Sequence, residues 1–318
     1  MLILRGGNRG TLVRFPILNS PFGEKLEPVE PGSDVLIEIG SRPPPMSADS
    51  YPELRPNEIA LMFSGGVDST ATAVMLAEHY DKVHLVTYRN GYGHYYHHRT
   101  AERVDELNRR LGDKFVYSLI STKTHFDEIL VNSVLEDYKE YRSGFIWFMG
   151  CKMAMHMRSA VYCLEHGLTH MTDGSNSDTD EMVEQMLLSL SLIQFFYEDH
   201  TVDFGTPVYE VRRAESRQVI KDLGLKMGVQ VMDRHLCIQP TCVAGELYYM
   251  PYLFFNKRVK HDEPVVGRFI EQKAQICREV IRRFFDKKGV DVQALLAHRR
   301  HQIASLGVKA STKKKEAV

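Results

Sequence analysis

Eight residues constrain this chain more than any other stretch: Phe63-Ser64-Gly65-Gly66-Val67-Asp68-Ser69-Thr70. The apolar run Ile59-Ala60-Leu61-Met62 precedes them, and Thr72-Ala73-Val74-Met75-Leu76-Ala77-Glu78, helical in character, follows. Strand, glycine-rich turn and helix in that order make an anion site. Adjacent glycines let the backbone turn tightly and come close to a ligand. The N–H groups of Ser69, Thr70 and Ala71 are expected to be first-turn donors aimed at the loop, a nest suited to phosphate.

Around this stretch the pattern alternates. Residues 83–88, 114–120 and 168–172 read as strands, and residues 99–111, 126–138, 152–166 and 181–197 as helices. Such a rhythm predicts an α/β domain with a parallel twisted sheet flanked by helices. Its ligands belong at the carboxyl ends of the strands, where the Ser64 loop lies. We expect the domain to span residues 56–248. Residues 1–55 read as an extension with two short strands, 11–15 and 34–39, and a Pro-rich linker. Residues 249–318 read as a helical extension, with an Arg-rich helix over 269–285 and a disordered Lys-rich tail.

Composition narrows the function classes. The formal net charge is −1, which gives no global electrostatic case for nucleic acid. No apolar run approaches the ~20 residues of a membrane span, and the first residues lack the pattern of a signal peptide. A cytoplasmic protein is expected. Five cysteines, an odd number, argue against a disulfide framework and leave metal or redox chemistry open.

The loop has no Lys where a Walker A motif needs one, and it lacks G-x-G-x-x-G spacing. It matches S-G-G-x-D-S. The chain therefore resembles the PP-loop ATP pyrophosphatases, the adenylating enzymes that include NAD synthetase and the tRNA thiolases. The resemblance implies the adenine nucleotide alpha hydrolase-like (HUP-type) fold. It further implies ATP as substrate, Mg²⁺ as cofactor, and an adenylated intermediate with release of pyrophosphate. In that reading Phe63, Ser64, Gly65, Gly66, Asp68, Ser69 and Thr70 hold the nucleotide's phosphates. Asp68 is a catalytic candidate that can hold Mg²⁺ or cap the helix. The backbone at Tyr88 and Arg89 is expected to read the adenine edge.

Further constellations extend the resemblance. Gly150-Cys151-Lys152-Met153-Ala154-Met155 is similar to the C-K-x-x-M stretch of 4-thiouridine synthetases. A Cys opening a helix beside a Lys has its thiolate favoured; Cys151 and Lys152 are catalytic candidates, Lys152 at the α-phosphate. Asp173-Gly174-Ser175-Asn176-Ser177-Asp178 resembles the D-G-T-N-x-D-D segment of sulfur-transferring members such as the nickel-pincer cofactor synthase. Asp173, Gly174, Asn176 and Asp178 are thus candidates for ribose, Mg²⁺ or substrate contact, or for an Asx turn that binds nothing. The stretch Gly205–Leu225 shares a cadence with PP-loop thiolases, with Glu215 at their acidic position.

Cys151, Cys237 and Cys242 can converge at the mouth of the site. Three thiolates can hold a [4Fe–4S] cluster with one iron open. A persulfide or disulfide pair, zinc, and purely structural cysteines remain alternatives. Cys163 and Cys277 fall on apolar helix faces and read as core. His94, His97 and His98 read as part of a mobile active-site loop rather than a metal site. The implied activity is an ATP-dependent sulfurtransferase acting on tRNA or a small cofactor precursor, with a sulfur-donor protein and a second copy of the chain as partners. The alternatives are an amide- or nitrile-forming ligase using ammonia, and a non-catalytic nucleotide-binding protein.

Overall fold

The computed structural model describes residues 34–39, 46, 51–95, 98–227, 229–231, 234–236, 241–245, 247–249 and 260–316. The expected strand over 11–15 and most of the Pro-rich linker lie outside these residues. So does Cys237.

The chain enters through β1 (Val35–Ile39) and β2 (Glu58–Met62), then α1 (Val67–His79) and β3 (Lys82–Arg89). Next come β4 (His94–Tyr95), α2 (His98–Leu111), β5 (Phe115–Ser121), α3 (Lys123–Ile129), α4 (Val134–Tyr141) and α5 (Phe145–His166). The second half holds β6 (His170–Thr172), α6 (Leu187–Glu198), β7 (Asp203–Gly205) and α7 (Arg213–Asp222). It ends with the short strands β8 (Val229–Val231), β9 (Arg234–Leu236) and β10 (Thr241–Cys242), then α8 (Glu263–Asp286) and α9 (Val292–Glu316).

The main sheet has the order β1-β5-β3-β2-β6-β7. All its pairings are parallel except β1 with β5. β2 lies centrally because both its faces are apolar. Ile59, Leu61 and Phe63 enter the core under α1, α2 and α7, while Ala60 and Met62 enter the core under α5, α6 and α8. Such continuous apolar runs mark strands covered on both faces. The chain winds outward from β2 to β3 and β5, then returns through α5 to β6 on the other side. The order therefore reverses between β2 and β6, and the crevice beyond their carboxyl ends is where ligands bind in doubly wound sheets.

Four expectations need correction. Residues 126–138 are not one helix. Val131–Ser133 forms a 3₁₀ turn between α3 and α4, where Ser133 Oγ donates to Leu130 O and to Asp137, a side-chain competitor for the helical ladder. Residues 181–186 do not belong to α6, which starts at Leu187; Val183–Gln185 is a separate 3₁₀ turn. The tail is helical to Glu316. Finally, α5 begins at Phe145, not at Cys151. Phe145, Ile146 and Met149 are buried in the same core as Met153 and Met157, so the apolar period runs back past Gly150. Gly150 does not break the helix; it leaves room for Leu130, whose Cδ2 lies 2.8 Å from where a Cβ would stand.

The helical part beyond residue 248 is built into this core. Phe269, Ile270, Cys277, Val280 and Phe285 of α8 are buried with residues of α5 and α6. Its basic outer face is paired: Arg278 with Asp199, Arg282 with Glu279 and Asp286, Arg283 with Glu128, and Lys288 with Glu165.

Candidate active site

The loop between β2 and α1 sits at the reversal point. Gly65 has φ +70°, a left-handed conformation that favours glycine. Gly66 caps α1 in extended conformation. The Thr70 N–H already donates to Gly66 O at 2.9 Å. The first-turn donors outside the helical ladder are thus those of Val67, Asp68 and Ser69, two residues earlier than expected. Ser64 and Ser69 hydroxyls stand 3.0 Å apart, and Ser64 is exposed to incoming ligand.

The loop after β6 closes against this one. A Cβ on Gly174 would lie 2.8 Å from Ser69 N and 2.9 Å from Ser69 Cα. Only glycine allows so close an approach. Next to it, Asp173 is buried, and its Oδ2 accepts from Lys152 Nζ at 2.8 Å and from Ser175 Oγ at 3.0 Å. Burial works to raise the Asp173 carboxyl; the Lys152 ammonium and the other donors outweigh it and hold it below its usual range. Lys152 is therefore fixed at the edge of the phosphate nest, on the side facing α5.

Asp68 projects from the first turn of α1 and meets α7. Its Oδ2 lies 3.3 Å from Arg213 Nη2, while its Oδ1 is buried with no hydrogen-bond partner. Burial pushes this carboxyl up, against the pull of Arg213. A buried carboxylate oxygen without a donor, beside a phosphate nest, suits a divalent cation. The fit to Mg²⁺ rests on that oxygen. Arg213 was not anticipated; the preceding sequence, with Arg212 and Arg213 ahead of Glu215, offered only adjacent charges. Glu215 itself points away and pairs with Arg212 at 2.7 Å.

Other candidates take internal roles. Asn176 is buried: its side chain accepts from Asp178 N at 2.8 Å and donates to Val208 O and Val211 O. Asp178 is exposed, and its Oδ2 accepts from Arg213 N at 3.0 Å. This is the Asx turn, with Asn176 as clip rather than ligand. The Tyr88 side chain is also buried, its hydroxyl 2.6 Å from Ser159 Oγ. Its backbone differs. Val86 O accepts from Phe63 N at 2.8 Å, so by strand alternation the Tyr88 peptide groups face the same side, just past the end of β2. Arg89 O faces the other way and accepts from Thr122 N.

The thiols lie on the far side of Lys152. Cys151 is buried inside α5, and its Sγ accepts from Asn90 Nδ2 at 3.1 Å. Asn90 Nδ2 also lies 3.3 Å from His94 Nε2. β4 pairs with β10, and His94 stands opposite Cys242. Cys151 and Cys242 thus come to one corner. The expected activation of Cys151 by a helix N-terminus fails, because it is one and a half turns inside α5 by the 3.6-residue pitch. Burial pushes its thiol up to about 12, against the Asn90 donor; Cys242 and Glu184 add to the rise. Cys163 and Cys277 are fully buried core residues. Among the described residues no group of three His, Cys, Asp or Glu could hold a metal ion. His97 lies outside them, so neither the cluster trio nor the histidine group is assembled here.

These elements define a class: an α/β domain with a doubly wound sheet and a glycine loop suited to an anion at its switch point. A family model described as "Queuosine biosynthesis protein QueC" matches residues 58–143, from β2 through α4. The matched stretch is the one that carries the Ser64 loop. No curated protein matches. Several solved structures are similar in fold. A predicted subunit of tRNA methyltransferase from Methanocaldococcus jannaschii is 17% identical at TM-score 0.39, covering 52% of this chain and 75% of that one. A 4-thiouridine synthetase in complex with RNA and ATP is 16% identical at TM-score 0.43, covering 71% of this chain and 53% of that one. The U34-tRNA thiolase NcsA from Methanococcus maripaludis, described with its [4Fe–4S] cluster, is 14% identical at TM-score 0.40, covering 70% and 73%. Among the described residues no helix is long and apolar enough to cross a membrane.

Proposed function

We propose that the chain adenylates an acceptor oxygen with ATP, releases pyrophosphate, and then transfers sulfur to the activated carbon. The observation that carries this is one turn of α5. Lys152 touches the loop that closes on the phosphate nest, and Cys151 beside it meets Asn90 and the Cys242 corner.

ATP's β- and γ-phosphates take the N–H groups of Val67, Asp68 and Ser69 and the hydroxyls of Ser64 and Ser69. These donors are fixed before the reaction, so they stabilise the charge that develops on pyrophosphate as it leaves. Asp68 is the residue to hold Mg²⁺, which when bound neutralises phosphate charge. Lys152 faces the α-phosphate, and the Tyr88 backbone presents its donor and acceptor to the adenine edge. The acceptor's oxygen attacks the α-phosphorus, and the O–P bond to pyrophosphate breaks.

Sulfur comes through the two thiols. A sulfur-donor protein loads Cys151 as a persulfide, whose terminal sulfur attacks the activated carbon and expels AMP. The Cys242 thiolate then attacks the Cys151 sulfur, releasing the acceptor as a thiolate and leaving a Cys151–Cys242 disulfide. Two thiol equivalents from a reductant reopen it. A [4Fe–4S] cluster needs a third thiolate, and the described residues do not bring one to this corner. One observation favours a second reading. The buried, protonated Cys151 suits a ligase that uses ammonia and leaves the thiols idle.

The test is pyrophosphate release with candidate acceptors. Asp68→Ala is expected to lower it ~10²–10³-fold, the scale of one preorganised charge-stabilising group. Cys151→Ala is expected to keep pyrophosphate release and abolish sulfur incorporation. Full turnover to product by Cys151→Ala selects the ammonia reading.

A further inference from the structure

The described cysteines differ in the direction of the hydrogen bond at sulfur. Cys277 Sγ donates to Met153 O at 3.8 Å, which requires the thiol proton. Cys151 Sγ and Cys242 Sγ instead accept, from Asn90 Nδ2 at 3.1 Å and from Gly245 N at 3.5 Å. An N–H aimed at sulfur favours negative charge there.

Asn90 makes the shorter of these two bonds. It follows directly after β3 and is fully buried. A backbone donor fixes its orientation. Tyr92 N donates to Asn90 Oδ1 at 2.8 Å, so the amide nitrogen is the atom that faces Cys151. The same nitrogen lies 3.3 Å from His94 Nε2. An amide nitrogen only donates, so His94 Nε2 accepts and the ring carries its proton on Nδ1. His94 stands opposite Cys242 in the β4–β10 ladder. One amide therefore ties the sulfur of α5 to the strand pair that carries the other sulfur. The loop itself is braced. Gly91 has φ +78°, and a Cβ there would lie 2.8 Å from Lys123 Cγ. The Tyr92 ring packs edge-on against Phe126 and Trp147, with centroids 5.8 and 5.9 Å away, and its hydroxyl donates to Asp127.

We infer that Asn90 is the positioning residue of the thiol pair: its amide holds Cys151 Sγ as the sulfur that carries charge, and keeps it in register with Cys242. Its part in turnover rests on the sulfur-transfer reading, since only that chemistry needs a charged Cys151. In loading, the Cys151 thiolate attacks the outer sulfur of the donor's persulfide. The new S–S bond forms as the donor's S–S bond breaks, and the electron pair leaves on the donor's thiol sulfur. In reopening, a reductant thiolate attacks Cys242 Sγ. The Cys151–Cys242 bond breaks and its electron pair returns to Cys151 Sγ; a second thiol equivalent frees Cys242. Both steps place charge on Cys151 Sγ, beside a donor fixed beforehand.

The test compares the full chain with Asn90→Asp and Asn90→Ala. Aspartate keeps an oxygen for Tyr92 N and replaces the donating nitrogen by an acceptor; alanine removes both. Methyl methanethiosulfonate is the probe: a thiolate attacks its divalent sulfur, forms a disulfide and expels methanesulfinate. Loss of the free Cys151 thiol is followed by peptide mass spectrometry, without ATP or acceptor. Asn90→Asp is expected to slow that loss at least about tenfold, the scale of one hydrogen bond to a charged group, with ATP binding unchanged. Asn90→Ala is expected to slow it as well, and it decides the matter if Asn90→Asp does not fold. A purely structural Asn90 predicts the reverse, because its loss loosens the corner and exposes a buried thiol. Unchanged or faster loss of the Cys151 thiol in the folded variant overturns the assignment. In turnover, Asn90→Asp is expected to keep pyrophosphate release and lower sulfur incorporation to a similar degree; equal incorporation overturns the assignment too. A parent chain that incorporates no sulfur removes the sulfur-transfer reading and leaves Asn90 to be judged by the probe alone.

Discussion

Two lysine–aspartate pairs anchor helices over the same face of the sheet, Lys273 to Asp137 of α4 and Lys152 to Asp173 in the loop after β6. Lys273 Nζ is 2.6 Å from Asp137 Oδ2, and Lys152 Nζ is 2.8 Å from Asp173 Oδ2. The first pair is closed: its side chains are 1% and 4% exposed, Ser133 Oγ lies 3.3 Å from the ammonium, and the Phe269 ring covers it. The second is open on one side. Lys152 keeps 18% exposure and faces the loop where Gly174 touches the first turn of α1. A buried ion pair by itself is weak evidence of either stability or function. What separates these two is whether any surface remains for a ligand.

The largest expected effect is at the closed pair. Lys273→Met leaves the Asp137 carboxylate buried without its cation and is expected to cost about 3–5 kcal/mol. Urea unfolding measures it. ATP binding per folded molecule is expected to stay as it was. A drop in ATP affinity in the folded fraction breaks the contrast.

Lys152→Met reverses the pattern. Asp173 keeps Ser175 N at 3.0 Å and Ser175 Oγ at 3.0 Å as donors, so the cost to stability is expected to be smaller, about 1–3 kcal/mol. Pyrophosphate release is expected to fall about 10²-fold through loss of positive charge at the α-phosphate. If the two lysines cost equal stability and Lys152→Met keeps its rate, the open pair is structural as well.

Legibility divides along the same line. The phosphate loop was readable because its eight residues are contiguous, and strand, Gly-Gly turn and helix state their geometry locally. The parallel sheet was readable from alternation of apolar segments. Lys152 was found through its neighbour Cys151, but for a wrong reason: Gly150 read as a helix start, and only the position of Leu130 shows it as a packing notch. Arg213 was missed because its significance lies in what stands opposite. Arg213 reaches Asp68 across 145 positions of sequence. Periodicity carries no record of it. Asn176, a plausible ligand by motif, proved to be an internal clip for the same reason: its partners Val208 and Val211 come from a later segment.

The smallest effect concerns the thiols, where the contrast of open and closed sites recurs without a counter-ion. Burial pushes Cys151 and Cys163 up to about 12 from 9.0. The folded state therefore holds these protons more tightly than the unfolded chain. The resulting stability is fully present below pH 9 and is lost as pH rises from 9 toward 12, at most about 1.4 kcal/mol per unit for each thiol. Cys163→Ala is expected to make the fall of the urea midpoint between pH 9.5 and 10.5 shallower, and Cys151→Ala to do the same by a similar amount. Both thiols are then protonated at neutral pH, and iodoacetamide at pH 7.5 is expected to label half-exposed Cys242 before Cys151 and Cys163. Labelling of Cys151 as fast as Cys242 in the folded protein sharpens the comparison in the other direction. The Asn90 donor then suffices to keep a buried thiolate in reach of solvent, and the corner is as open as the phosphate nest.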